Sequence, residues 1–326
     1  MTTFETNRIR PAAVDEVTLS SPALRLRTAP QLGGKLVELR SVKTGRDWLW
    51  RNPRHELRQG KPLADYVGEF DSGGWDELFP NVAPVPAGID MGPWGSGGLT
   101  DHGELWYRLW QTEASGGRSC TQTAASLTDE FRFGRTIRLD PQRAAASLSY
   151  ELTNLGHEAM PFVWAAHPLF RCEPGMSLQI DGHLEVEAVH CAGKRFEGVP
   201  TSCLWQDLVE RFPFIDNASG WSPDDLRCGL TFKAFVRTDR GQAVSLLDRT
   251  SGERLSLGHS GGPVTHTAIW LNFGGWSGDN GERLCNIGIE PTTFPGDEPP
   301  RVPHPSARLL PGETRQWELG LSIDPA

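Results

Sequence analysis

Two histidines and a glutamate carry the acid–base chemistry this sequence offers. His102 lies in Thr100-Asp101-His102-Gly103-Glu104-Leu105-Trp106, followed by Trp110. His167 lies in Trp164-Ala165-Ala166-His167-Pro168-Leu169-Phe170, and Glu290 in Ile287-Gly288-Ile289-Glu290-Pro291-Thr292-Thr293. A fourth stretch, Ser72-Gly73-Gly74-Trp75-Asp76-Glu77-Leu78-Phe79-Pro80-Asn81, is equally dense in Gly, aromatic and ionisable residues. Each places a His or a carboxylate at the edge of a strand-like run, and several such edges can aim polar groups at one concave face. A carboxylate with a pKa of about 4 and an imidazole with one of about 6.5 can act as base and acid at neutral pH. Near pH 7 the imidazole can take either role. A pair of this kind needs neither a metal nor an organic cofactor.

The elements that must position these groups are strands. Trp317, Leu319, Leu321 and Ile323 alternate with polar or small residues, as do Leu148, Tyr150 and Leu152, and Phe131 and Phe133. Phe232, Ala234 and Val236 alternate less cleanly. Period two of this kind marks half-buried antiparallel strands. Turn signals separate them at Asn154-Leu155-Gly156, Asp181-Gly182, Ser251-Gly252 and Pro311-Gly312. Helical periodicity is weak, the best stretch being Leu204 to Phe212. The Pro-rich segment from Pro295 to Pro305 reads as an ordered surface loop. These patterns predict an all-β fold, a large antiparallel β-sandwich with few short helices, with residues 1–326 as a single domain.

Composition narrows the partners. The net charge is −9, from 32 basic and 41 acidic residues, and no basic stripe appears. Nucleic acid and anionic membranes are therefore not expected partners. No apolar run reaches the length of a membrane span, and the first residues lack the apolar core of a secretory signal. The six cysteines form no C-x-x-C pair. Together these features predict a cytoplasmic protein with reduced thiols. No H-x-H or H-E-x-x-H spacing supports a zinc site built on His102, Glu104 and His167, and no metal site is expected. The Gly258–Pro263 run has the look of a serine-protease nucleophile loop. His259 stands where the acid should be, and no Cys follows His167, so that reading is rejected.

In order along the chain, the four stretches resemble the galactose mutarotase-like superfamily, in particular the aldose 1-epimerases. The Gly-rich Leu32-Gly33-Gly34-Lys35-Leu36-Val37-Glu38-Leu39 is similar to that family's first hairpin, and Thr44-Gly45-Arg46-Asp47-Trp48-Leu49-Trp50 to its tether strand. The resemblance spans about residues 20 to 320. It implies an isomerase that interconverts sugar anomers by opening the hemiacetal ring, with a small-molecule sugar as partner and no cofactor. It makes Glu290 the base on O1, His167 the acid at the ring oxygen, and His102 a hydrogen-bonding partner of the ring oxygen or a neighbouring hydroxyl.

The substrate-binding set is less sharply marked. Many members of the family carry an Arg after an Asn-Gly pair, where this chain reads Gly-Gly-Trp-Asp-Glu-Leu-Phe-Pro. Asp76 and Glu77 there suit a neutral or cationic sugar and disfavour a phosphorylated one. Trp75 and Trp276 are candidate platforms for the apolar face of a pyranose. Asp216 and Lys233 are candidates for the polar contact between His167 and Glu290 in sequence. His55, His157, His183, His190, His259, His266 and His304 read as surface or packing residues. Two rival functions share the fold: a non-catalytic carbohydrate-binding or sensing protein, and a glycoside-cleaving enzyme pairing Glu290 with Asp76 or Glu77 at about 5–5.5 or 6.5–9.5 Å.

Overall fold

The computed structural model describes residues 14–126, 130–194, 197–198, 200–217, 219–276 and 283–326. In chain order, the first strands are β1 (Val17–Ser20), β2 (Leu24–Ala29), β3 (Lys35–Ser41), β4 (Trp75–Leu78), β5 (Gln111–Gly116), β6 (Ser119–Ala125) and β7 (Phe131–Leu139). Next come β8 (Ala145–Asn154), β9 (Met160–Pro161), β10 (Ala165–Arg171), β11 (Met176–Ile180), β12 (Glu185–Ala192) and β13 (Ser202–Leu204). The single α-helix among the described residues, α1 (Trp205–Arg211), follows. The chain closes with β14 (Leu230–Arg237), β15 (Val244–Asp248), β16 (Glu253–Ser260), β17 (His266–Phe273), β18 (Cys285–Thr292), β19 (Arg308–Leu309) and β20 (Thr314–Pro325).

Two large sheets face each other. One runs β1-β2-β3-β4-β10-β18-β17-β14-β12-β13, the other β11-β15-β16-β20-β8-β7-β6-β5, and β19 pairs with β9 apart from both. The neighbours that matter for the site are antiparallel: β4 with β10, β10 with β18, β18 with β17, and β17 with β14. The protein is an all-β antiparallel sandwich.

Strand patterning follows from what covers each face. In β20, Trp317, Leu319, Leu321 and Ile323 are buried, while Glu318 and Gly320 between them are exposed. One face of that sheet packs on the core and the other meets water. The centre of the ten-stranded sheet differs. In β14, Phe232, Ala234 and Val236 point to the core, yet Thr231 and Phe235 on the opposite face are also buried. Burial on both faces explains the unclean alternation there. Ile269 and Leu271 of β17 and Ile287 and Ile289 of β18 are fully buried in the same core, which also takes in Phe131, Phe133, Leu148 and Leu319 from the other sheet. Each such side chain contributes roughly 1.5–3 kcal/mol by leaving water.

Two connections bring distant segments to the sheet. The β2–β3 hairpin turns through Pro30–Leu32 and Gly33, whose φ is +69°. A Cβ on Gly33 would lie 2.4 Å from the Trp106 Cα, so only glycine lets the His102–Trp106 segment approach. The Thr44–Trp50 segment forms isolated bridges rather than a continuous strand, Arg40 with Asp47 and Leu49 with Phe170. It ties β3 to β10.

Candidate functional site

Period two decides which side chains share the face of the ten-stranded sheet turned away from the core. In β10, Ala165 pairs with Thr292 and Leu169 with Gly288, so His167 lies between those rows beside Glu290. In β17, Ala268 faces Glu290 and Trp270 faces Gly288, and in β14 Lys233 faces Trp270. His167, Glu290, Lys233 and Trp270 consequently line one cavity of about 540 Å³. His102 and Asp101 close it from the loop above, with Tyr66 beside them.

The catalytic candidates meet. His167 Nε2 lies 3.6 Å from Glu290 Oε1, and the His102 and His167 rings stand edge to face with centroids 5.1 Å apart. Burial pushes the Glu290 carboxyl up to about 7, against the pull of Lys233. Burial, together with the neighbouring His102, Lys233 and Lys35, holds His167 well below the ordinary imidazole range. Lys233 Nζ lies 3.9 Å from Glu290 Oε2 and 2.7 Å from Asp297 Oδ1. Burial would lower the Lys233 pKa, but Glu290 and Asp297 outweigh it and hold the ammonium above its usual range. Gly288 makes room for this arrangement, since a Cβ there would fall 2.4 Å from Glu290 Oε1.

His102 is held in a sparsely populated conformation. Its φ is +62°, unusual for a residue with a Cβ. Its N–H donates to the Val82 carbonyl at 2.8 Å, and its Nδ1 lies 2.9 Å from Asp101 Oδ1. The ring stacks on Tyr66, with centroids 4.0 Å apart and planes 17° apart. Tyr66 in turn donates to Asp76 Oδ2 at 2.7 Å, and Lys35 Nζ donates to the same oxygen at 2.5 Å. Nδ1 facing a carboxylate leaves Nε2 for whatever occupies the cavity.

Of the expected binding residues, Lys233 and Trp276 line the cavity, and Trp75, Asp76, Glu77 and Asp216 do not. Three consecutive residues of a strand cannot share a face, and β4 shows the consequence. Trp75 points into the core and is 1% exposed. Glu77 points between the sheets, where it accepts from Arg135 Nη1 and the Tyr150 hydroxyl, both at 3.0 Å. Asp76, opposite His167 in the register, is engaged by Lys35 and Tyr66 beneath the His102 ring. Asp216 sits in the turn after α1, within the influence of Asp181 and Arg249. Neither Asp76 nor Glu77 is available as the second carboxylate of a glycoside-cleaving pair.

Several lining residues were not singled out in the sequence. His190 and His55, read there as surface or packing residues, both line the cavity, and His190 Nε2 lies 2.9 Å from Thr231 Oγ1. The signal for His190 is its register, directly opposite Lys233. Asp297 belongs to the Pro-rich loop, which docks by accepting the Val82 and Ala83 N–H groups on its backbone carbonyl. Tyr66 carries no local signal at all. Among the described residues, no group of three or more His, Cys, Asp or Glu side chains is arranged to hold a metal ion. No helix among them is long and apolar enough to cross a membrane.

No protein-family profile and no curated protein matches this sequence. Solved structures do. A candidate aldose 1-epimerase of Escherichia coli K12 superimposes with a TM-score of 0.64 at 17% identity, covering 96% of this chain and 99% of that one. A galactose mutarotase-like protein of Clostridium acetobutylicum gives a TM-score of 0.64 at 15% identity, covering 95% of each chain. One of Lactobacillus casei gives 0.62 at 14%, covering 95% of this chain and 100% of that one. The chain has the galactose mutarotase-like fold. Within that fold the His167–Glu290 pair stands on the two central strands β10 and β18, where the sheet is covered on both faces.

Proposed function

We propose that this protein is an aldose 1-epimerase-like isomerase that interconverts the anomers of a free sugar. The observation that carries the reading is the 3.6 Å approach of His167 Nε2 to Glu290 Oε1 on the cavity floor. The two oxygens of a hemiacetal are bonded to one carbon, so the groups serving them must stand within a few ångström of each other. The fold of the structural neighbours adds support by analogy only.

Glu290 and His167 share one proton in the reactive form, which is carboxylate and imidazolium. Glu290 removes the O1 proton and His167 Nε2 gives its proton to the ring oxygen. The C1–O5 bond breaks and an open-chain aldehyde forms. Rotation about C1–C2 presents the other face of the carbonyl, and the two proton transfers run backwards to close the ring as the other anomer. No atom is gained or lost. His102 Nε2 and the Lys233 ammonium orient neighbouring hydroxyls. Each acid–base group contributes roughly 10²–10⁴-fold. Lys233 is already engaged by Asp297 and Glu290, while Asp65, Asp71 and Asp101 add further carboxyl groups to the lining. That balance favours a neutral sugar over a phosphorylated one, for a reason that does not involve Asp76 or Glu77.

The test is anomer exchange measured by NMR saturation transfer on a panel of free aldoses. Exchange above the buffer rate, reduced at least ~100-fold in Glu290→Gln and in His167→Asn, is the expected result. Binding without acceleration for every sugar would establish the non-catalytic reading instead.

A further inference from the structure

The cavity extends well past the catalytic pair. Across β17 and β18, Ala268 faces Glu290, Trp270 faces Gly288, and Asn272 faces Asn286. At ~3.3 Å per residue, the Trp270 row lies ~7 Å and the Asn272 row ~13 Å from the Glu290 row. A pyranose with its hydroxyls, built from bonds of ~1.5 Å, spans on the order of 6 Å. One ring seated on Glu290 and His167 therefore leaves the far end of the cavity unfilled.

That far end has its own chemistry. Trp270, Asn272, Trp276, Leu284 and Asn286 line it, and none of these five is ionisable; Lys233 and His190 border them on the β14 side, Lys233 engaged by Asp297 and Glu290 and His190 by Thr231. The two indoles form a corner, with centroids 6.3 Å apart and planes at 83°. Trp276 is 46% exposed, which core packing does not explain. Both tryptophans are held by buried asparagines. Trp270 Nε1 donates to Asn286 Oδ1 at 3.1 Å. Asn272 Nδ2 donates to the Trp276 carbonyl at 2.8 Å, and the Trp276 N–H donates to Asn272 Oδ1 at 3.1 Å. Asn272 thus fixes the backbone that carries the half-open Trp276 and Asn286 fixes the Trp270 indole, which preorganises the corner for a ligand.

We propose that Trp270 and Trp276 form a second sugar subsite, so that the substrate is a neutral saccharide of two or more units whose reducing end occupies the Glu290–His167 pocket. The assignment of the reducing end rests on the mutarotase reading, because ring opening requires a free anomeric carbon at Glu290. The next unit then points away from the acid–base pair toward the open tryptophan. A pyranose offers an apolar C–H face to an indole and needs no counter-ion there. The exposure of Trp276 leaves room for further units outside.

The experiment compares glucose with maltose and cellobiose on wild type, Trp276→Ala and Trp270→Ala. Binding is read by titration calorimetry and turnover by NMR anomer exchange. The expected result is at least one disaccharide bound roughly tenfold more tightly than glucose. That ratio should fall towards one in Trp276→Ala. Equal binding of all three sugars by wild type, or a ratio unchanged in both variants, overturns the subsite. If the ratio behaves as expected while no sugar exchanges faster than in buffer, the subsite stands and the mutarotase reading fails. If glucose exchange is accelerated and the ratio stays near one, the mutarotase reading stands and the subsite fails.

Discussion

Glu290 illustrates how burial of a single residue sets its titration at a cost in stability. Its carboxyl is 2% exposed and pushed up to about 7 from an ordinary value of 4.5. A raised carboxyl pKa means that the fold favours the protonated form. The favourable contribution is complete below about pH 4.5 and is lost as pH rises through about 7. Above that, holding the charge costs about 3 kcal/mol. Glu290→Gln is therefore expected to leave thermal stability unchanged near pH 5 and to raise Tm by several degrees at about pH 8.5, while abolishing turnover. Scanning calorimetry at the two pH values checks this, and a variant less stable than wild type at the higher pH would refute it. The same titration sets the rate. The reactive form holds one proton on the pair, and His167 is held well below the ordinary imidazole range, so kcat/KM for mutarotation should fall as pH rises through about 7, where the pair gives up that proton. A rate that keeps rising through pH 7 would show that the pair does not need that proton and would remove His167 from the role of acid.

At the scale of elements, β18 shows how a strand makes room for the carboxyl of Glu290. Gly288 precedes Glu290 by two residues and lies on the same face, where an added Cβ would meet Glu290 Oε1 at 2.4 Å and Trp270 Cβ at 3.0 Å. A carboxyl at the end of a flexible side chain can swing aside, so Gly288→Ala should fold. A displacement of about 1 Å at a reacting group costs on the order of 100-fold. Turnover is expected to fall by about that factor with Tm changed little; wild-type exchange in this variant would show that the carboxyl position is not critical. Much of this element scale is legible in sequence. The clean alternation of β20 reports a sheet with one wet face, and His167 within β10 and Glu290 within β18 stand out by type. The cavity-lining set is harder, because it depends on register. Period two alone forbids Trp75, Asp76 and Glu77 from sharing a wall, whereas His190 reaches the cavity only through its pairing with Lys233. Tyr66 and Asp297 arrive from irregular segments whose docking no local pattern encodes.

At the scale of the whole molecule, the two sheets are joined by an ion pair as well as by apolar packing. Glu77 and Arg135 have fully buried side chains and meet at 3.0 Å across the sandwich. Arg135 also donates to Gln122 Oε1 at 2.9 Å and to the Gly34 carbonyl, and its guanidinium lies 4.9 Å from the Trp110 ring centre. The pair thus connects β4, beside the site, to β7 and to the β2–β3 hairpin that packs on the His102–Trp106 segment. Removing one member leaves a buried charge without its partner, which costs about 3–5 kcal/mol, whereas replacing both by apolar groups costs much less. Glu77→Ala should lose stability on that order in urea unfolding. Arg135→Met introduced into the Glu77→Ala protein should recover part of the loss, because the orphaned guanidinium goes with it, though not all, since Gln122 and the Gly34 carbonyl also lose their donor. A substrate-binding carboxylate would behave differently: its loss would raise KM and leave the urea midpoint near that of wild type. The sign of the second substitution therefore separates a tie between the sheets from a wall of the proposed sugar site.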